Sequence, residues 1–264
     1  MSQLLVENEP RELLERELLD DVQCYWTGRA ASYSQLNAAE LANAKRAAWL
    51  NKIMAYAPEK PVLKVLDIGT GPGFFAVTMA LAGHHVTAVD MTQAMLDQAN
   101  ANASRYGVSV NFVLSDVHTL PFDDNSFDLI VTRNVTWNLD APQCAYEEWR
   151  RVLVPGGRMV NFDANWYLQL FDEHCRLGYL EDRANARYLG LDDHYVNTDT
   201  TAMENIARQL PLSRERRPQW DMQALLKCGY HKLMVDTQVG DELWDDTEKV
   251  NYASTPMFLV CAEK

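Results

Sequence analysis

The segment Val62–Gly73, VLKVLDIGTGPG, decides the fold that we expect for this chain. A nearly continuous run of branched apolar residues ends at Asp67, and three glycines follow at alternate positions. Such a run is typical of a strand in a parallel sheet, because helices cover both faces of that sheet. The glycines allow a sharp turn and the close approach of a ligand to the backbone. The next residues, 76–81, predict a helix whose free N–H groups face the turn.

An acid before a Gly-x-Gly-x-Gly turn, here Asp67 before Gly69, Gly71 and Gly73, resembles the first motif of the class I S-adenosylmethionine-dependent methyltransferases. Dinucleotide-binding proteins have a similar turn, but their glycines follow the spacing G-x-G-x-x-G. Phe74 stands where the third glycine of that spacing would fall. The spacing therefore favours the methyltransferase family, with a nicotinamide-dependent oxidoreductase as the less favoured alternative.

Composition limits the classes of protein that the chain fits. Its 264 residues suit one domain with an elaboration, or two small domains. A net charge of −13 disfavours a nucleic-acid partner, because affinity for phosphate backbones comes mainly from Lys and Arg. No apolar run approaches the roughly 18 residues of a membrane span, and the acidic N-terminus lacks the apolar core of a signal peptide. We therefore expect no membrane partner and a cytoplasmic protein.

The five cysteines are scattered along the chain and form no C-x-x-C pair. This pattern fits reduced thiols better than disulfides or a zinc cluster. His174, Cys175 and His194 together match no familiar zinc spacing. We therefore predict no metal site.

From Pro61 onward, predicted strands and helices alternate, which indicates a parallel α/β sheet. The second and third strands, His84–Asp90 and Val110–Asp116, each end in an acid, as the first strand does. Ligands of open α/β sheets bind at the carboxyl ends of the strands. A carboxylate at Asp90 can accept hydrogen bonds from both hydroxyls of a ribose. Three such acids are a more specific signal than the glycine turn alone.

The resemblance implies S-adenosylmethionine as the cofactor and S-adenosylhomocysteine as its product. In the family, Asp116 would accept a hydrogen bond from the adenine amino group, and Met91 would pack on the adenine. Tyr33 would close over the methionine end, unless it is an ordinary packing aromatic. The predicted cofactor-binding residues are Asp67, Gly69, Gly71, Gly73, Asp90, Met91, Asp116, Val117, Asn134 and Tyr33.

The resemblance also predicts the complete architecture: an α/β fold with a seven-stranded, mostly parallel, doubly wound sheet of the Rossmann-like kind. Its last strand would enter antiparallel between the fifth and the sixth. We expect an N-terminal helical cap at residues 1–60 and a core formed by residues 61–163 and 221–264. Residues 164–220 would form a helical lid over the acceptor pocket.

The N-terminal region contains Leu14, Leu18, Val22 and Trp26 at every fourth position in a Glu-rich background. This spacing predicts an amphipathic helix. We interpret it as a helix that packs on its own domain. A dimer-forming helix is the alternative, so a homodimer stays open.

The methyl acceptor should meet the cofactor beyond the fourth strand, Phe127–Thr132. The residues predicted to bind it are Trp137, Asn138, Trp166 and Tyr167. An aromatic pocket would suit a planar, apolar or cationic small molecule. The predicted catalytic residues are Asp163, Asn134 and His194, with Asp163 as first candidate for a general base because it ends a strand beside the pocket.

The sequence therefore predicts a methyltransferase that acts on a small molecule. Motifs of the Pro-Pro-Tyr type, found in amino methyltransferases of DNA, are absent after the fourth strand. A non-catalytic module that binds the cofactor is the second alternative. The acceptor atom stays open among oxygen, nitrogen, sulfur and carbon, because this fold serves all four.

Overall fold

A computed structural model describes residues 9–193 and 199–264, with side chains from residue 17 onward. One sheet of seven strands lies at its centre, in the order β3-β2-β1-β4-β5-β7-β6. The strands are β1 Lys64–Ile68, β2 His85–Asp90, β3 Asn111–Leu114, β4 Phe127–Arg133, β5 Leu153–Asp163, β6 Lys232–Asp236 and β7 Phe258–Glu263. Strands β1 to β5 pair in parallel, whereas β7 runs antiparallel to both β5 and β6. The predicted sheet is confirmed, including the place of its last strand.

Ten α-helices are present in the described part of the chain. They are α1 Glu9–Ala42, α2 Lys45–Tyr56, α3 Phe74–Leu81, α4 Gln93–Arg105, α5 Pro142–Val152, α6 Glu173–Tyr188, α7 Thr200–Ala207, α8 Gln219–Lys227, α9 Val239–Leu243 and α10 Asp246–Asn251. Helices α6 and α7 lie in the segment that we expected to form a helical lid.

Successive residues of the central strands enter two different apolar cores. Val65 and Leu129 belong to a cluster with residues of α2, α3 and α9. Their chain neighbours Leu66 and Ile130 belong to a second cluster with residues of α5 and α8. Side chains of a strand alternate between the two faces of a sheet, so helices cover both faces. This explains why the strand sequences are almost continuously apolar.

Helix α1 is longer than the sequence pattern indicates. We expected a helix near residues 14–26, but α1 extends from Glu9 to Ala42 and runs through Gly28 without a break. A glycine inside a helix costs about 1 kcal/mol relative to alanine. Burial of Leu18 and Val22 against Trp137 and Met203 opposes that cost. The apolar side of α1 therefore packs on its own domain.

No helix in the described ranges is sufficiently long and apolar to span a bilayer.

Candidate functional site

Asp67 stabilises the glycine turn after β1 through hydrogen bonds. Its Oδ2 accepts hydrogen bonds from the Thr70 hydroxyl at 2.6 Å and from the Ala76 N–H at 2.9 Å, in the first turn of α3. Gly69, Gly71 and Gly73 all have positive φ angles, of 62°, 52° and 90°. The turn therefore uses the left-handed conformations that glycine adopts without strain.

Gly69 is the glycine that the packing restricts most severely. A Cβ atom at this position would overlap with Cγ2 of Val135. We expect Gly69→Ala to lower the free energy of unfolding by about 1–2 kcal/mol through its positive φ and by a further 1–3 kcal/mol through overpacking. Urea denaturation measures this loss.

Gly107→Ala is the matched control for Gly69→Ala. Gly107 has a similar φ of 66°, but no atom lies within 4 Å of its added Cβ. It should show only the conformational cost of about 1–2 kcal/mol. Adding Gly69→Ala to a Val135→Ala background should remove the overpacking part, because the two changes are coupled. Equal losses at the two glycines would contradict the role of Val135.

A cavity with about 760 Å³ of empty space opens at the carboxyl ends of β1, β2 and β4. It brings together these predicted cofactor-binding residues: Tyr33, Gly69, Gly71, Asp90, Met91, Asp116, Val117 and Asn134. Asp67 lines a smaller adjoining pocket with Tyr33 and Arg133. Gly73 lies against Ala99 of α4, so its role is to allow close packing of that helix.

Asp90 ends β2 at the wall of this cavity. Its Oδ2 accepts from the Gly71 N–H and its Oδ1 from the Thr92 N–H, both at 2.9 Å. Burial raises the pKa of Asp90 above its ordinary value, although these N–H donors oppose the shift. Since each carboxylate oxygen can accept a second hydrogen bond, the pair suits two adjacent hydroxyl groups.

Asp116 lies two residues beyond the end of β3, beside a histidine that the sequence pattern did not indicate. Its Oδ1 accepts from the His118 N–H at 2.9 Å and lies 2.7 Å from His118 Nδ1. Burial lowers the pKa of His118, but the hydrogen bond and charge of Asp116, with the charge of Asp140, give a net upward shift. The contacts with His118 use Oδ1, so Oδ2 is the oxygen placed to accept from a ligand.

Helix α1 is held over the cavity by a partly buried ion pair. Arg133, at the end of β4, donates to both carboxylate oxygens of Glu40 at 3.2 and 2.9 Å. Its guanidinium carbon lies 4.6 Å from the ring centre of Phe74. The Tyr33 ring then lies over the glycine turn, with Cε1 3.7 Å from the Cβ position of Gly71. The sequence did not reveal Arg133, because its partner lies 93 residues away.

Asn134 follows β4 in a left-handed conformation with φ of 58°. Its Oδ1 and that of Asn138 are buried and have no hydrogen-bond partner among the described residues. Both residues line the cavity. Buried polar atoms are nearly always paired, so these two oxygens are candidates to accept hydrogen bonds from a ligand. We predicted that Asn138 binds the acceptor. In the structure it lines the cavity that contains the predicted cofactor-binding residues.

A second pocket, with about 700 Å³ of empty space, adjoins the cavity and shares Trp26, Tyr33 and Asn134 with it. Three residues predicted to bind the acceptor, Trp137, Trp166 and Tyr167, are in its wall. We call its seven aromatic residues the aromatic box: Tyr25, Trp26, Tyr33, Trp137, Trp166, Tyr167 and Tyr252. Tyr252 follows α10 and was not predicted, because nothing local in its sequence connects it with the site.

Asp163 is fully buried behind the aromatic box. Its Oδ1 accepts from the Ala164 N–H and from Trp166 Nε1, at 2.9 and 3.0 Å. Its Oδ2 accepts from Thr136, the Trp137 N–H and Arg217, at 2.5, 3.0 and 2.8 Å. Five donors occupy the carboxylate, which disfavours the general-base role expected from its place at a strand end.

Arg217 completes this buried network and was not indicated by the sequence. It forms ion pairs with Asp163 at 2.8 Å and with Asp221 at 2.6 Å, and all three side chains are fully buried. Asp163 also binds Trp137 and Trp166, so the network fixes two walls of the aromatic box.

The remaining predicted catalytic residue, His194, lies outside the described residues. Within the described part of the chain, no group of three His, Cys, Asp or Glu side chains could hold a metal ion.

Comparisons with known proteins agree with this geometry. The family described as a methyltransferase domain matches residues 66–161. A ubiquinone/menaquinone biosynthesis C-methyltransferase of Ruegeria sp. is 31% identical over 150 residues, which are 55% of this chain and 60% of that protein. A malonyl-[acyl-carrier protein] O-methyltransferase of Erwinia billingiae is 38% identical over 110 residues, 41% of this chain and 42% of that protein. The chain spans about half the length of these relatives.

A solved structure from Methanococcus maripaludis, assigned as an S-adenosyl-L-methionine-dependent methyltransferase, is similar over nearly the whole chain. The TM-score is 0.58 and the identity 20%, and the match covers 90% of this chain and 93% of that one. At this identity the likeness concerns the fold.

Proposed function

Since residues 66–161 match the methyltransferase-domain family, we propose that the chain is a class I S-adenosylmethionine-dependent methyltransferase that transfers the methyl group of that cofactor to a small molecule. The observation that carries this proposal is the contact between two pockets. The cavity at the strand ends has the acids that a nucleoside requires, and the aromatic box opens directly beside it. Tyr33 and Asn134 line both and therefore mark where the reacting groups meet.

The residues of the cavity fit the cofactor part by part. The two oxygens of Asp90 would hold the ribose hydroxyls, and Asp116 would accept from the adenine amino group. Met91 and Val117 would contact the adenine ring. The methionine end would lie at the glycine turn under Tyr33, where the absence of Cβ atoms leaves room for it.

The bound cofactor supplies a methyl group that its sulfonium already makes electrophilic. The main task of the protein is therefore to align the acceptor with the methyl carbon and to exclude water. Such positioning can contribute on the order of 7–11 kcal/mol to catalysis. Asn134 would contribute through its buried Oδ1, and the network of Asp163 and Arg217 would hold the walls of the aromatic box. In this proposal Asp163 is a positioning residue.

The chemistry of the two relatives supports a small acceptor without fixing its atom, since one is named a C-methyltransferase and the other an O-methyltransferase. Calorimetric titration with S-adenosylmethionine and S-adenosylhomocysteine tests the cofactor. A radiolabelled methyl-transfer screen against small amines, phenols, thiols and carboxylic acids tests the activity. Absence of binding to both compounds would contradict the proposal. Tight binding without transfer to any acceptor would favour a non-catalytic binding module.

Cofactor affinity should depend on pH through Asp67. Burial raises the pKa of Asp67 to about 7, against the opposing effects of its hydrogen bonds and of Arg133. A positively charged ligand favours the carboxylate, so binding releases a proton from the fraction of Asp67 that is protonated. We expect the affinity for S-adenosylmethionine to rise about 10-fold from pH 6 to pH 8, measured by calorimetry.

Asp67→Asn is the control for this dependence. Its amide oxygen can still accept from Thr70 and Ala76, but the side chain does not titrate. The variant should bind the cofactor more weakly and should lose the increase between pH 6 and pH 8. Parallel pH profiles for the two proteins would show that another group causes the dependence.

A further inference from the structure

We propose that the aromatic box selects an amine as the methyl acceptor and holds its nitrogen, cationic after transfer, against ring faces. This inference rests on the proposed function and adds the chemical class of the acceptor. It starts from the composition of the box: seven of the ten described residues that line it are aromatic, and the other three are Asn134, Thr200 and Met203.

The rings come from distant parts of the chain and adopt different orientations. On α1, Tyr25 and Trp26 have ring centres 5.4 Å apart and planes at 88°. Trp166 and Tyr252 form a similar edge-to-face pair at 5.3 Å and 85°. Most of these rings are only half-buried, so ring surface borders the open pocket. Several aromatic faces around one space attract a cation through their quadrupoles.

Charged groups of both signs act on the phenols of the box. Burial is the main cause that raises the pKa values of the Tyr25 and Tyr167 phenols, and nearby carboxylates add to it. These carboxylates are Asp199 for Tyr25 and Glu204 for Tyr167. Arg29 lowers the pKa of Tyr25 more strongly than Asp199 raises it, and Arg183 lowers the pKa of Tyr252. Arg183, however, forms an ion pair with Asp193 at 2.7 Å, which reduces its effect.

The described residues of the wall of the box also include no strong base. Among the described residues, the ten that line it include no Asp, Glu, His, Lys or Arg. A hydroxyl acceptor must give up its proton to a base during transfer. An amine that enters as its ammonium ion first loses that proton to solvent; the lone pair of the neutral amine then forms the new N–C bond while the electrons of the C–S bond return to sulfur. The positive charge moves from sulfur to nitrogen, and any N–H proton is released to solvent afterwards.

A pair of isosteric probes tests the inference. Choline has a trimethylammonium group, and 3,3-dimethylbutan-1-ol has the same shape with carbon in place of the charged nitrogen. We expect choline to bind at least ~10-fold more tightly in calorimetric titrations. Equal affinities, or no binding of choline, would overturn the proposal. Tighter binding of a neutral planar phenol than of choline would overturn it in favour of an aromatic acceptor.

Two substitutions at Tyr25 separate the effect of the ring face from that of apolar contact. Tyr25→Phe keeps the ring and should leave the preference for choline unchanged. Tyr25→Leu keeps an apolar side chain and should lower choline affinity about 3- to 10-fold without weakening the isostere. An equal loss for both probes would contradict a cation site.

The titrations are run with and without S-adenosylhomocysteine. Failure of that compound to bind would refute the proposed function, while the choline comparison would still report on the box. Cofactor binding with no preference for the cation would refute only the present inference.

Discussion

Replacing Asp90 by alanine is expected to weaken the binding of S-adenosylmethionine by at least ~100-fold. The carboxylate would make two charged hydrogen bonds to the ribose, and each bond of this kind contributes about 1.5–3 kcal/mol. The same side chain holds the N–H groups of Gly71 and Thr92, so its loss also loosens the glycine turn. Calorimetric titration of the folded variant measures the effect.

Two controls locate this effect at the carboxylate. Asp90→Asn keeps the shape of the side chain and one acceptor oxygen. Its affinity for S-adenosylmethionine should therefore lie between those of the wild type and Asp90→Ala. Asp97→Ala removes the same charge from the exposed side of α4, where Asp97 accepts a hydrogen bond from Gln93. That variant should bind the cofactor normally. Unchanged affinity in Asp90→Ala, with an unchanged melting temperature, would remove Asp90 from the proposed ribose contact.

The sequence predicted the sheet, and it indicated most of the residues that line the cavity at the strand ends, because both depend on local signals. Runs of Val, Ile and Leu indicated the strands, and the spacing of the glycines indicated the turn after β1. In a parallel sheet the carboxyl ends of neighbouring strands lie at one edge, so Asp90 and Asp116 were expected near each other. The structure places both in one cavity.

The parts that the sequence did not predict depend on contacts between distant residues. An acid at the end of β5 suggested a base, but the role of Asp163 depends on Arg217, which is 54 residues away. Tyr252 reaches the aromatic box through the packing of α10 on α6, for which periodicity gives no signal. The length of α1 was underestimated at Gly28, where packing on the domain overrides helix propensity.

Replacing Arg217 by methionine is expected to lower the free energy of unfolding by about 3–5 kcal/mol. The change leaves the Asp163 and Asp221 carboxylates buried without their shared cation, and uncompensated buried charge has a cost of this size. Because Asp163 binds Trp137 and Trp166, the near-ultraviolet circular dichroism should change as well. Urea denaturation gives the energy, and the spectrum reports on the walls of the aromatic box.

Arg216→Met is the matched control, one residue earlier in the chain. Arg216 also forms an ion pair, with Asp172 at 2.5 Å, but 70% of its side chain is exposed. Exposed pairs contribute about 0–1 kcal/mol, so this variant should be nearly as stable as the wild type. Arg217→Lys keeps a positive charge but lacks the planar guanidinium that can bind two carboxylates. Its loss of stability should lie between those of Arg216→Met and Arg217→Met. Similar small losses at Arg216 and Arg217 would mean that the buried network does not hold the box. A large loss at Arg217 alone, together with a changed spectrum, would show that the aromatic box depends on a buried ion cluster that does not line it.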